Sequence, residues 1–290
     1  MITLFLLGKK GLETLLKLES TNLLCISKVI IGTDKNVVED YSKELISFCS
    51  QNEITYSVSS KENTFSSEYA IAIGWRKLID YNSNQRLIVF HDSILPRLRG
   101  FNPLVTALIN GDKEVGVTAL FASQDYDRGD IIDVKKTSIN YPVKIENVIE
   151  ILADSYVVLC NKIVNKIKNK ELISSHKQDE SLATYSLWRD EEDYFIDWSE
   201  SSDKIARQID AVGFPYKGAK TNMGNQIITI TESEPIMDVL IENRSIGKVI
   251  FKQNNNPVIV CGNGLLLVKS ALDSNNQKVD FSNFFRLRFK

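Results

Sequence analysis

A chain of 290 residues, 43% apolar and 25% charged, is long enough to bury a substantial core and has the balance of a globular protein. Its net charge of −2 and pI near 5.9 exclude a strongly basic nucleic-acid or anionic-membrane binder. Four scattered cysteines, Cys25, Cys49, Cys160 and Cys261, form no CxxC pair, which speaks against a zinc site and a disulfide scaffold.

The opening run from Ile2 to Leu7 has no basic region before it and is too short to span a bilayer. It reads as a first strand, and the chain as cytoplasmic. Further strands are predicted at Leu24–Ile31, Tyr69–Ile73, Leu87–Phe90, Gly116–Phe121 and Ile131–Val134, with helices near 10–18, 36–50 and 102–110. Such alternation implies an α/β fold, a mostly parallel sheet with helices on both faces. Ile145, Val148, Ile149, Leu152, Tyr156, Leu159, Ile163 and Ile167 recur at steps of three and four, the period of a long helix. The polar stretch Ser174–Ser181 reads as a linker, dividing the chain into residues 1–180 and 181–290.

Beyond it, Ser202–Val212 has the pattern of a short amphipathic helix that stops at Gly213-Phe214-Pro215-Tyr216. Short β-favouring runs follow at Gln226–Thr231, Val239–Ile241, Ile246–Phe251, Val258–Cys261 and Leu265–Val268, separated by Asn- and Gly-rich turns. Their spacing fits a small antiparallel β-barrel-like subdomain. Ile246, Val249 and Ile250 suit either a barrel interior or the interface of a homodimer.

One stretch is more specific than the rest: His91-Asp92-Ser93-Ile94-Leu95-Pro96-Arg97-Leu98-Arg99-Gly100, directly after the apolar run Leu87–Phe90. Strand carboxyl ends are where open α/β sheets place ligands. Asp127 stands 36 positions after His91, in Tyr126-Asp127-Arg128-Gly129-Asp130, before another apolar run. A lone His and a distant Asp at strand ends form a candidate acid–base pair.

These segments resemble the His-x-Ser-Leu-Leu-Pro-x-x-Arg-Gly and Asp-x-Gly-Asp elements of formyltransferases that use 10-formyltetrahydrofolate. Arg189–Trp198 is similar to the family's Ile-Asp-Trp-ending segment, and Phe214–Ala219 to its Pro-x-x-Gly-Ala element. The resemblance implies a Rossmann-like catalytic domain with a C-terminal β-barrel subdomain. It assigns His91 and Asp127 catalytic roles and places Ser93, Leu95, Pro96, Asp125 and Tyr126 at the folate, although Leu95 reads equally as core and Tyr126 as a turn residue. The family usually has Asn two residues before the His as an oxyanion donor, and Val89 stands there. Losing such a donor costs roughly a hundred- to a thousandfold in rate. Asn102 or a backbone N–H in the Arg99–Asn102 turn is the candidate substitute; the alternatives are a slow enzyme or a silent folate-binding homologue.

Two further groups are candidates for an acceptor substrate. Trp75, Arg76 and Lys77 follow the strand Tyr69–Ile73, at a helix start suited to a diphosphate, or form a solvated loop. Arg189 and Trp198 border an acidic run, which is either a solvated face or a nucleotide site. Family acceptors are methionyl-tRNA and nucleotide-linked amino sugars. The tRNA enzymes resemble one another in a basic loop after the second strand; here Gly32–Asp40 carries one Lys against three acids. A nucleotide-linked amino sugar is therefore the expected acceptor, with methionyl-tRNA the alternative and no nucleic acid, membrane or metal partner expected.

Overall fold

The computed structural model describes residues 1–59, 63–282 and 286–290. Its described residues sort into two compact units, Met1–Leu104 with Lys113–Ile139 and Asn147–Leu187, and Val105–Asp112 with Asn140–Glu146 and Trp188–Lys290.

In the first unit the apolar runs become strands β1 (Ile2–Leu6), β2 (Ile26–Ile31), β3 (Tyr56–Val58), β4 (Tyr69–Ile73), β5 (Arg86–His91), β7 (Glu114–Phe121) and β8 (Ile131–Ser138). Two residues at Arg99–Gly100 make β6. The seven-stranded order is β3-β2-β1-β4-β5-β7-β8, with β1 to β5 parallel and β7 and β8 antiparallel at one edge. A mostly parallel sheet is what the alternation predicted. Strand β3 escapes sequence reading because it is three residues long and lies at the other edge.

Register assigns the faces. Leu4, Leu6, Ile71, Ile73, Ile88 and Phe90 share one; Phe5, Ala70, Ala72, Leu87, Val89 and His91 share the other. Helix α1 (Gly8–Leu16) and helix α5 (Ile145–Lys168) pack on the first face, where Phe90 stacks on Tyr156 at 5.7 Å. Phe65, Trp75 and Ile79 pack against the second. Short helix α2 spans Ser20–Leu23, and α3 covers Ser42–Gln51 rather than starting at 36. Asp40 accepts from the Asp34 and Ser42 N–H groups, which holds the intervening residues as a loop. The predicted linker is not free: His176 exchanges backbone hydrogen bonds with Ile131 at 2.8 and 2.9 Å, and β9 (Tyr185–Ser186) pairs with β6.

In the second unit, helix α4 is Pro103–Asn110, most of it here, and α6 is Ser202–Ala211, capped by Ser201. Strands β10 (Ala219–Met223), β11 (Gln226–Ile236), β12 (Val249–Gln253), β13 (Asn256–Val260) and β14 (Leu265–Leu272) form an antiparallel sheet ordered β10-β11-β14-β13-β12. The chain's last residues join its edges: Asn222 and Lys290 exchange hydrogen bonds on the β10 side, and Phe289 N–H donates to Gly247 O beside β12. This closure makes the sheet barrel-like. Gly247 sits at φ +74°, where a Cβ would lie 2.1 Å from Phe289 O, so only glycine fits. The predicted strand Val239–Ile241 is a loop, because Asp238 takes a fork from Arg244 and the Gly264 N–H. Ile250 packs against the cluster of Val258, Val260, Leu265 and Leu267, whereas Ile246 is 42% exposed.

Candidate active site

The site forms where β5 runs out. His91 ends the strand with its ring on the second face, 7% exposed. Its Nε2 is 2.8 Å from Leu98 O, which can only accept, so this nitrogen carries a proton. Its Nδ1 lies 3.4 Å from Asp127 Oδ1. Both ring nitrogens thus face acceptors.

Asp127 is held in a left-handed conformation at φ 57°. Its Oδ2 accepts the Gly100 N–H at 2.8 Å, so one carboxylate ties the loop after β5 to the turn before β8. Gly100 needs φ +97°, and a Cβ would meet Ser186 O at 2.5 Å. Beneath it, fully buried Arg99 donates to Gln178 Oε1 and, as a fork, to both oxygens of Glu180 at 2.8 Å. The Gln178 amide in turn donates to Asp127 O at 2.7 Å and Gly129 O at 2.8 Å. The stretch read as a linker therefore fixes the backbone of Asp127.

Thr118, paired across the ladder with His91, donates its hydroxyl to Ser93 O at 2.7 Å and accepts the Leu95 N–H at 3.2 Å. Leu95 packs into the core with Leu120 and Ile131, so its side chain is not at a ligand surface. The Leu95–Pro96 peptide is cis, and Pro96 O accepts the Thr184 N–H. Ser93 is 5% exposed, and its Oγ has no hydrogen-bond partner among the described residues. Tyr126 is 60% exposed, with its ring 6.1 Å from that of Phe101. Asp125 is exposed beside Arg128.

The substitute for the missing donor is narrowed. The N–H groups of Arg99, Gly100 and Phe101 are engaged by Thr184 O, Asp127 and Ser186 O, which removes those three amides as candidates and leaves Asn102. Val89 is half-buried between two apolar clusters.

The second group of candidates behaves differently. No helix begins at Trp75, which is half-buried with its ring in an edge-to-face contact with Phe5 at 5.0 Å. Arg76 pairs with Asp34, and Lys77 reaches Ser59 O at 3.3 Å. Arg189 and Trp198 lie in the second unit. Trp198 is 3% exposed, donates Nε1–H to Thr221 and packs on Phe289 at 5.7 Å, which makes it core rather than a stacking platform. Arg189 is half-buried, with Nε unpartnered among the described residues.

Sequence reasoning passed over a polar set on the other face. Asp92, directly after His91, receives hydrogen bonds from Lys10 and Tyr156. Desolvation pushes its carboxyl upward, but the Lys10 charge and both hydrogen bonds hold it below its ordinary value. Among the described residues no helix is long and apolar enough to cross a membrane, and no cluster of His, Cys, Asp and Glu could hold a metal ion.

The formyl transferase family matches residues 30–156, and the formyl transferase C-terminal domain matches 189–288. The chain is 30% identical over 194 residues to a methionyl-tRNA formyltransferase of Fusobacterium nucleatum, covering 67% of this chain and 62% of that protein. It is 34% identical over 176 residues to that of Halothermothrix orenii, covering 60% and 55%. The chain thus spans less than two thirds of the length of these relatives. Among solved structures, the sugar 3N-formyl transferase WlaRD, crystallised with dTDP and 5-N-formyl-THF, shares 20% identity and a TM-score of 0.68 over 95% of this chain and 98% of that one. An N-formyltransferase from Helicobacter canadensis, in complex with folinic acid and dTDP-3-aminofucose, gives 16% identity and 0.67 over 92% and 98%. With both halves of the family pattern matched along most of its length, the chain belongs to the formyl transferase family.

Proposed function

We propose that this protein transfers a formyl group from 10-formyltetrahydrofolate to the amino group of a nucleoside-diphosphate-linked amino sugar. The observation that carries the reading is the His91–Asp127 pair, closed by the Gly100 N–H, at the carboxyl end of β5 and inside the family match. The folate supplies an electrophilic formyl carbon. Around it, the unpartnered Ser93 Oγ offers a buried polar atom, and Tyr126 and Asp125 offer exposed edges. The acceptor amine must be neutral to attack, and negative charge then develops on the formyl oxygen. His91 donates to that oxygen, exchanging the Leu98 carbonyl for it. Asp127 orients and charge-stabilises the ring, and the proton lost by the attacking amine passes to the folate nitrogen as its bond to the formyl carbon breaks and tetrahydrofolate leaves.

Two observations favour a sugar nucleotide. In structural superposition the two solved relatives of that kind align over more than nine-tenths of this chain at TM-scores of 0.68 and 0.67, against 71% of this chain and 0.55 for a methionyl-tRNA formyltransferase from Clostridium thermocellum. The loop after β2 is acidic, unlike a phosphate-backbone contact, while Arg76 and Lys77 are exposed cations at the end of β4. Methionyl-tRNA is the second reading, favoured by the closer sequence identity to those enzymes.

The test follows tetrahydrofolate release with a panel of nucleotide-linked amino sugars and with methionyl-tRNA, at rising salt. Turnover on a sugar nucleotide, falling by about a hundredfold or more in His91→Ala and Asp127→Ala, is the expected result. Turnover on tRNA alone, with steep salt dependence, would replace the acceptor. Folate binding without turnover on any acceptor tested would point to a silent homologue or to an acceptor outside the panel.

A further inference from the structure

His91 has a charged neighbour that the formyl-transfer reading does not use. Because side chains alternate along a strand, Asp92 points to the face opposite His91, toward α1 and α5. There it meets Lys10, 9% exposed, and the hydroxyl of Tyr156, 1% exposed. The Lys10 ammonium also lies 5.9 Å from the centre of the Tyr156 ring, which stacks on Phe90, the residue before His91. A buried lysine and a carboxylate are costly to desolvate, and a core of this size could be filled more cheaply by apolar side chains. Their position directly behind the strand end that presents His91 gives the pair a purpose.

Several charged groups among the described residues stand around this strand end. From α1 come Lys10 and Lys9, the latter paired with Glu150 of α5; from α5 comes Tyr156. From the turn before β8 comes Asp127, and from the loop after β5 comes Arg99, neutralised by Glu180. His91 therefore stands between two carboxylates: Asp127 faces the ring, and Asp92 lies behind it with its charge balanced by Lys10. A charge on His91 is the last of the influences that hold the Asp92 carboxyl down, after Lys10 and the two hydrogen bonds.

We propose that Lys10, Asp92 and Tyr156 form a charge-balanced positioning set behind His91, fixing its strand end and setting how readily the ring holds its second proton. The proposal rests on the formyl-transfer reading for its purpose. Lys10 and Asp92 act in opposite senses. Removing the carboxylate leaves an unbalanced cation behind the strand end, and removing the cation leaves an unbalanced carboxylate there.

The chain's two histidines make the test direct. In the full-length protein carrying His176→Gln, the one remaining imidazole is followed by NMR through a pH titration. Asp92→Asn lowers the midpoint of the His91 titration by about half a pH unit, and Lys10→Met raises it by about as much. The double variant returns it to within about 0.2 units of the parent. A purely structural role would move both single variants in the same direction, or neither, and either outcome overturns the proposal. If Asp92→Asn loses its dispersed NMR spectrum, Lys10→Met and the double variant decide. The titration needs no substrate, so opposite shifts in a protein that transfers no formyl group would keep this proposal and remove the activity.

Discussion

Asp92 shows how one residue joins stability to the site. Its native carboxyl lies below the ordinary value of 3.8, so the folded chain binds fewer protons here than the unfolded chain. The stabilisation is therefore present above that ordinary value and is lost as pH falls through the depressed native one. Asp92→Asn is expected to be less stable than the parent at about pH 7, the difference shrinking toward about pH 2, as read by urea unfolding. A constant difference at all pH values would assign the loss to packing instead. Other residues carry less of their fate in the sequence. Trp75 and Trp198 look alike as aromatics beside charges, yet one packs on Phe5 and the other on Phe289. Their partners come from the first strand and from the chain's last residues, which no local pattern reveals.

At the scale of elements, the stretch from Ser174 to Ser181 matters most. It is polar and lacks periodicity, so it reads as a linker. In the fold it supplies the partners of a buried guanidinium and the amide that holds the Asp127 carbonyl. Arg99→Met should cost about 2 kcal/mol by urea unfolding, because the Gln178 oxygen loses both of its donors. The same variant should lower kcat more than it raises KM, since it loosens the turn carrying Asp127 rather than a substrate contact. The strands were more legible. Tyr69–Ile73 was read to the residue because a parallel strand buried on both faces is a continuous apolar run. The loop at Val239–Ile241 has the same texture and is not a strand, because the Asp238–Arg244 fork competes for its backbone.

For the molecule as a whole, the closure of the C-terminal sheet is decisive. Phe289 is 1% exposed and packs on Trp198, and its neighbours hydrogen-bond to both sheet edges. Phe289→Ala is expected to destabilise this unit by about 3 kcal/mol, with an earlier red shift of tryptophan fluorescence on unfolding. An unchanged unfolding midpoint would show that the edges hold without it. The acidic loop after β2 and the net charge of −2 belong to this scale too, since they set the field met by a polyanionic substrate.

The sequence alone determined the α/β alternation, the ten-residue segment at His91, the correctly spaced Asp127 and the β-rich second half. Each is written in local order: apolar runs, turn residues and motif spacing are properties of neighbours along the chain. Only tertiary structure decided that Leu95, Trp75 and Trp198 face inward, that a polar stretch braces Asp127, and that Lys10 meets Asp92. These depend on contacts between residues dozens of positions apart, and such contacts exist only once the sheet has set its strand order and register.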